Sequence, residues 1–144
     1  SLHATMAGIL AAGALAIAGC GGSGSDGNAD QAPIDGSWKG PFTQSGVADF
    51  QGYVEIDTLR AGMVSGTVFY PGIGGSGGCS GALIYKSREG SDYLFTEQII
   101  TSENPNCTKR GDVKVTSVDD GDGIRYAWSS GKQSSVGNLR EWDD

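Results

Sequence analysis

Residues 50–70 read FQGYVEIDTLRAGMVSGTVFY, and their patterning decides the fold. Phe50, Gly52, Val54 and Ile56 alternate with Gln51, Tyr53, Glu55 and Asp57. After the turn signal Arg60-Ala61-Gly62, Val64, Gly66, Val68 and Tyr70 alternate with Ser65, Thr67 and Phe69. Successive side chains on a strand point to opposite faces, so a period of two predicts two half-buried strands joined by a short connection.

The same reading extends in both directions. Upstream, Trp38–Thr43 supplies a first strand. Downstream, strands are expected at Ala82–Tyr85, Tyr93–Ile100, Val113–Val118, Ile124–Trp128 and Val136–Trp142. Between them lie Arg88-Glu89-Gly90-Ser91, Asn104-Pro105-Asn106, Asp119–Gly123 and Gly131-Lys132, rich in residues that turn the chain. No window after Cys20 has a helical period. About eight strands on short connections predict an all-β domain over residues 35–144, an antiparallel up-and-down barrel, with a β-sandwich as the alternative. Closure removes exposed strand edges, and 25 glycines in 144 residues suit tight turns and sharply bent strands.

The N-terminal part has a different character. Residues 1–19 hold no Asp, Glu, Lys or Arg, and Met6–Ala18 is apolar and rich in Ala and Gly. As a helix it would reach roughly 20 Å, too short for a hydrocarbon core of ~30 Å. An export signal fits better. Ile17-Ala18-Gly19-Cys20 closes it and resembles the bacterial lipobox, in which an aliphatic residue and two small ones precede a lipidated Cys. That resemblance implies a signal peptide over 1–19, a diacylglycerol on the Cys20 thiol and cleavage just before it. An ordinary signal peptide with a chance Cys is the alternative. No Lys or Arg precedes the apolar run and residue 1 is Ser, so the true start is expected upstream. Residues 20–34 read CGGSGSDGNADQAPI, a flexible tether of roughly 20 Å reach. The location implied is extracytoplasmic, on the outer leaflet of the cell membrane. Gly21, rather than Asp, after Cys20 favours onward sorting to an outer membrane where the cell has two.

The formal charge of −7 lies entirely after Cys20. An acidic domain is a poor partner for nucleic acid or anionic headgroups, so lipid on Cys20, and no basic patch, should hold the membrane. With Cys20 lipidated, Cys79 and Cys107 remain, and in an oxidising compartment two remaining cysteines usually pair. A disulfide there closes a loop of about 29 residues, worth ~3.6 kcal/mol in the chain-entropy picture. Free thiols or a redox pair are the alternative, though Cys-x-x-Cys spacing is absent.

The only His is His3. The mature domain therefore lacks the base of a Ser-His-Asp or Cys-His unit and any His metal ligand. Gly72-Ile73-Gly74-Gly75-Ser76-Gly77 matches G-x-G-x-x-G, but that fingerprint needs a following helix to meet a phosphate, and here Cys79 and a strand follow. Asp119-Asp120-Gly121-Asp122-Gly123 lacks the closing Glu of an EF-hand and is read as a hairpin turn, with weak Ca²⁺ binding as the alternative. No metal or cofactor is expected. Glu97 is in phase with Tyr93, Phe95 and Ile99 and so is expected to point inward, where a carboxylate needs a partner. Arg140, in phase with Asn138 and Trp142, is the candidate, in a buried cluster with Trp38. A solvent-facing Glu97, or one with a ligand-binding or acid/base role, stays open. Glu55 and Asp57 should point outward. Tyr53, Tyr70, Tyr85, Tyr93, Tyr126, Trp128 and Trp142 are expected to fill the core, or else to line a cavity or an exposed patch.

Two resemblances bear on the folded part. Gly36-Ser37-Trp38 at the start and Arg140 in the last strand are similar to the calycin group of lipocalins and avidin-like barrels, in which a terminal Arg stacks on the first-strand Trp. Gly36–Gly40, Cys79–Leu83, Phe95–Ile99, Cys107–Val113, Tyr126–Trp128 and Gly137–Arg140 together resemble a small uncharacterised β domain of actinobacterial-type lipoproteins, also seen as the extracellular tail of some bacterial Ser/Thr kinases. That family implies location and fold more than activity. The expected function is a non-enzymatic binding or protein-interaction module of the cell envelope, its partner an envelope protein, a glycan or a small apolar ligand. A lipocalin-like carrier of a small apolar ligand is the alternative, followed by an enzyme working with carboxylates alone.

Overall fold

The computed structural model describes residues 34–73, 77–102 and 107–142. The expected signal peptide, Cys20 and the tether up to residue 33 lie outside the described residues. Eight strands follow one another: β1 Gly36–Gln44, β2 Val47–Ile56, β3 Val64–Tyr70, β4 Cys79–Glu89, β5 Asp92–Ser102, β6 Arg110–Val118, β7 Gly123–Ser130 and β8 Gln133–Glu141. Each pairs antiparallel with the next, and β8 returns to β1, closing an up-and-down barrel. The barrel, and not the sandwich, is the fold. Gly46 and Gly131 take φ of 80° and 61° in the turns after β1 and β7, a conformation that glycine reaches without steric cost.

The bore is filled with side chains. Trp38, Phe42, Phe95, Tyr126, Leu83 and Leu139 are all fully buried. Phe42 is the hub: its ring stacks on Phe50 at 5.4 Å and meets the edges of Tyr70 at 5.4 Å and Tyr126 at 5.5 Å. It fits because the strands on either side of β1 present Gly52 and Gly137, where a Cβ would overlap the ring. Small inward residues thus make room for large ones, as a narrow barrel requires.

Period-two patterning locates every strand, but its phase fails at two. In β3 the register slips between Val64 and Gly66, so Val64 turns outward, 64 % exposed, while Ser65 is buried. The slip is a bulge. The Ser65 hydroxyl serves the β2–β3 connection, donating to the Met63 carbonyl at 3.1 Å and accepting from the Arg60 N–H at 3.2 Å. In β8 the inward residues are Ser135, Gly137 and Leu139, which places Arg140 outside. Ile34, expected to end the tether, is instead fully buried, and its carbonyl accepts the Trp38 indole N–H at 2.9 Å. The domain therefore takes in at least that residue.

Cys79, at the start of β4, is joined by a disulfide to Cys107, just ahead of β6, with Cα atoms 5.9 Å apart. The Gly72–Gly77 run falls between β3 and β4, and a strand follows it. The Asp119–Gly123 turn holds a short 3-10 turn at Asp119–Gly121, with Asp119 and Asp120 in the left-handed region, which Asp tolerates.

Candidate functional site

Two places on the barrel gather chemistry. The first is the mouth at the end of the β1–β2, β3–β4, β5–β6 and β7–β8 connections. Glu97 projects inward from β5 and is 3 % exposed. Tyr70, ending β3, and Tyr126, in β7, both donate to its Oε1, at 2.6 and 2.5 Å. Hydroxyl-to-carboxylate bonds this short are of the charge-assisted kind. Burial raises the Glu97 carboxyl above the usual range, and the bonds from Tyr126 and Tyr70 pull it back in part. Both phenols are raised well above 10, chiefly by burial and then by the facing carboxylate. They stay protonated and act as donors.

This arrangement corrects the expected cluster. Glu97 is buried, but its partners are two tyrosines rather than Arg140. The Arg140 guanidinium lies outside, 65 % exposed, its Nη1 2.7 Å from Asp119 Oδ2. Nor does it stack in a buried cluster with Trp38, whose indole N–H is taken by Ile34. The cause is strand phase: Val136 and Trp142 suggest that even positions of β8 face inward, whereas the inward positions carry Ser, Gly and Leu, and a shift of one residue flips every side chain. Tyr70 and Tyr126 were legible as inward residues, being in phase with Val68 and Ile124. The pattern does not say that a phenol would serve where a guanidinium was expected.

Above Glu97 the mouth opens into a cavity of about 30 Å³, lined by Phe50, Tyr70, Trp128, Ser135 and the Cys79–Cys107 bridge. That admits roughly two water-sized atoms. The Trp128 indole lies over Gly111, where a Cβ would overlap its ring nitrogen. Its Nε1 is buried and has no hydrogen-bond partner among the described residues.

The second place is the outer surface of β1–β3. Tyr53 stacks on Phe69 at 6.2 Å and meets the edge of Trp142 at 5.2 Å, and the Lys39 ammonium sits 5.2 Å over Trp142. Phe69 is 45 % exposed. Beside the rings the Ser37 hydroxyl donates to Glu55 Oε2 at 3.3 Å. Tyr53, Phe69, Trp142, Ser37, Glu55 and Thr67 border a shallow cleft of about 160 Å³. Cross-strand register builds it: Ser37 faces Glu55 and Glu55 faces Thr67, while Tyr53 faces Phe69. Glu55 points outward, as the alternation required. No family model, curated protein or solved structure matches the chain.

Proposed function

We propose that the protein is a non-enzymatic binding module of the bacterial cell envelope, anchored outside the membrane by lipid on Cys20, and that its outer aromatic cleft receives a sugar ring of an envelope glycan. The observation that carries this reading is the division of aromatic residues: a packed bore beside an outer row in which Phe69 is exposed and Tyr53 and Trp142 are half-buried. A pyranose has an apolar C–H face and a rim of hydroxyls. The rings offer the first a flat surface, and Glu55, Ser37 and Thr67 offer the second their hydrogen bonds. A stable protein interface needs about 800 Å² on each partner, more than one cleft of this size supplies. A carrier of apolar ligands needs ~300 Å³ or more of internal space, and the bore is occupied.

Two measurements test it. Mass spectrometry of the chain from its native membrane should find diacylglycerol on Cys20, and an unmodified thiol there removes the anchor from the reading. A full chain carrying Cys20→Ser should be retained on purified cell-wall glycan, and Tyr53→Ala or Trp142→Ala should weaken retention about tenfold or more. Equal retention of all three chains rules out the cleft as the binding face.

A further inference from the structure

Among the described residues, the buried carboxylate at the barrel mouth has no cation beside it. Glu97 receives two neutral phenols on Oε1. The ion pairs among the described residues join Lys86 to Asp112, Lys114 to Asp92 and Arg140 to Asp119, all away from it. Charges withdrawn from water are normally paired, and two hydrogen bonds do not supply the missing positive charge. The cavity above Glu97 is walled by the rings of Phe50, Tyr70 and Trp128. Aromatic faces with a carboxylate among them attract ammonium groups.

A second buried group points to the same place. Among the described residues Trp128 Nε1 is a donor with no acceptor, on a residue only 7 % exposed. It lies over Gly111, and Gly111 is the direct cross-strand partner of Glu97. The unpartnered donor and the unpaired carboxylate are therefore neighbours in one wall. Below them the bore is closed by Phe42 and Tyr126, so a ligand in this cavity goes no deeper than Glu97.

We infer that the barrel mouth binds a small organic ammonium compound with an oxygen acceptor close to its nitrogen, the chemistry of an amino alcohol, free or as a lipid headgroup. The ammonium lies on Glu97 among the rings, and the oxygen accepts the Trp128 N–H. The base of the cavity has room for about those two atoms, and the carbons lie toward the mouth. This site is separate from the outer cleft and does not depend on it.

The test uses the full chain with Cys20→Ser and follows indole N–H resonances by nitrogen-15 NMR, with ethanolamine and propanol as probes. The two probes match in size and hydroxyl and differ in charge. Ethanolamine should shift the Trp128 signal saturably, while Trp38, whose N–H is already bonded to Ile34, stays still. Propanol should not do so at the same concentrations. Glu97→Gln, which can still accept from both tyrosines, should weaken binding roughly ten- to hundredfold. Trp142→Phe should leave it unchanged, which separates this site from the glycan reading. Vesicles with and without phosphatidylethanolamine distinguish the sources: a response to those vesicles as well as to free ethanolamine assigns the site to a headgroup, and a response to free ethanolamine alone assigns it to a soluble amine. No shift with ethanolamine at tens of millimolar, or an equal shift with propanol, overturns the proposal and leaves the cavity to water.

Discussion

At the scale of single residues, Glu97 makes stability depend on pH. Its folded-state pKa is raised, chiefly by desolvation, so the folded state holds its proton more tightly than the unfolded chain does. The stabilisation linked to that proton is complete below the unfolded pKa of ~4.3 and is lost as pH rises through the folded value. In Glu97→Gln this dependence is absent. The melting temperature of the variant should rise relative to wild type between acid and neutral pH, and a constant difference across that range would show that burial does not govern the carboxyl. Tyr126→Phe removes one of the two donors and should cost about 1–3 kcal/mol in chemical denaturation at neutral pH, more than in acid, where the carboxyl is protonated. The inward position of Glu97 was legible because Phe95 and Ile99 share its phase. Its partners were not, because alternation gives a side chain's face but not its neighbours across the bore.

At the scale of the strand, legibility depended on which residues sit on the inner face. β2 carries Phe50, Val54 and Ile56 inward, and the sequence alternates accordingly. β8 carries Ser135, Gly137 and Leu139 inward, Gly137 leaving space for Phe42, and the larger outward residues Val136 and Trp142 set a misleading phase. The β3 bulge is equally invisible to alternation, since one extra residue restarts the pattern. These assignments separate two neighbours on β8. Leu139→Ala should destabilise the barrel by about 2–5 kcal/mol, as expected for a fully buried leucine, whereas Arg140→Ala removes an exposed ion pair worth ~0–1 kcal/mol. Denaturant midpoints of the two variants decide the matter, and similar losses would mean that the phase assigned to β8 is wrong.

At the scale of the molecule, strand number, closure and the disulfide all followed from the sequence, because they rest on repeated patterning and on cysteine number. The two candidate sites did not, since each is assembled from three or more strands by register. The outer cleft needs β1, β2 and β3 in line together with the end of β8, and the mouth needs β3, β5 and β7 to converge on one carboxylate oxygen. The covalent bridge ties that mouth together. Replacing both Cys79 and Cys107 by Ser should lower stability by about 3 kcal/mol, read from urea denaturation, while a loss near zero would show that the unfolded chain is little restricted by the bridge.

The pairing of β1 with β8 has a consequence in time. Trp38 lies opposite Glu141, so the first strand finds one of its two neighbours only when the last has been delivered. A chain that emerges N-terminus first keeps that edge open throughout, and closure is its final step, with the delay that distant pairings impose. Cys107 emerges well before β8, so the crosslink to Cys79 can form while the edge is still exposed. The bridge then secures the middle of the chain during the interval in which an unfinished barrel is most open to pairing with the wrong strand.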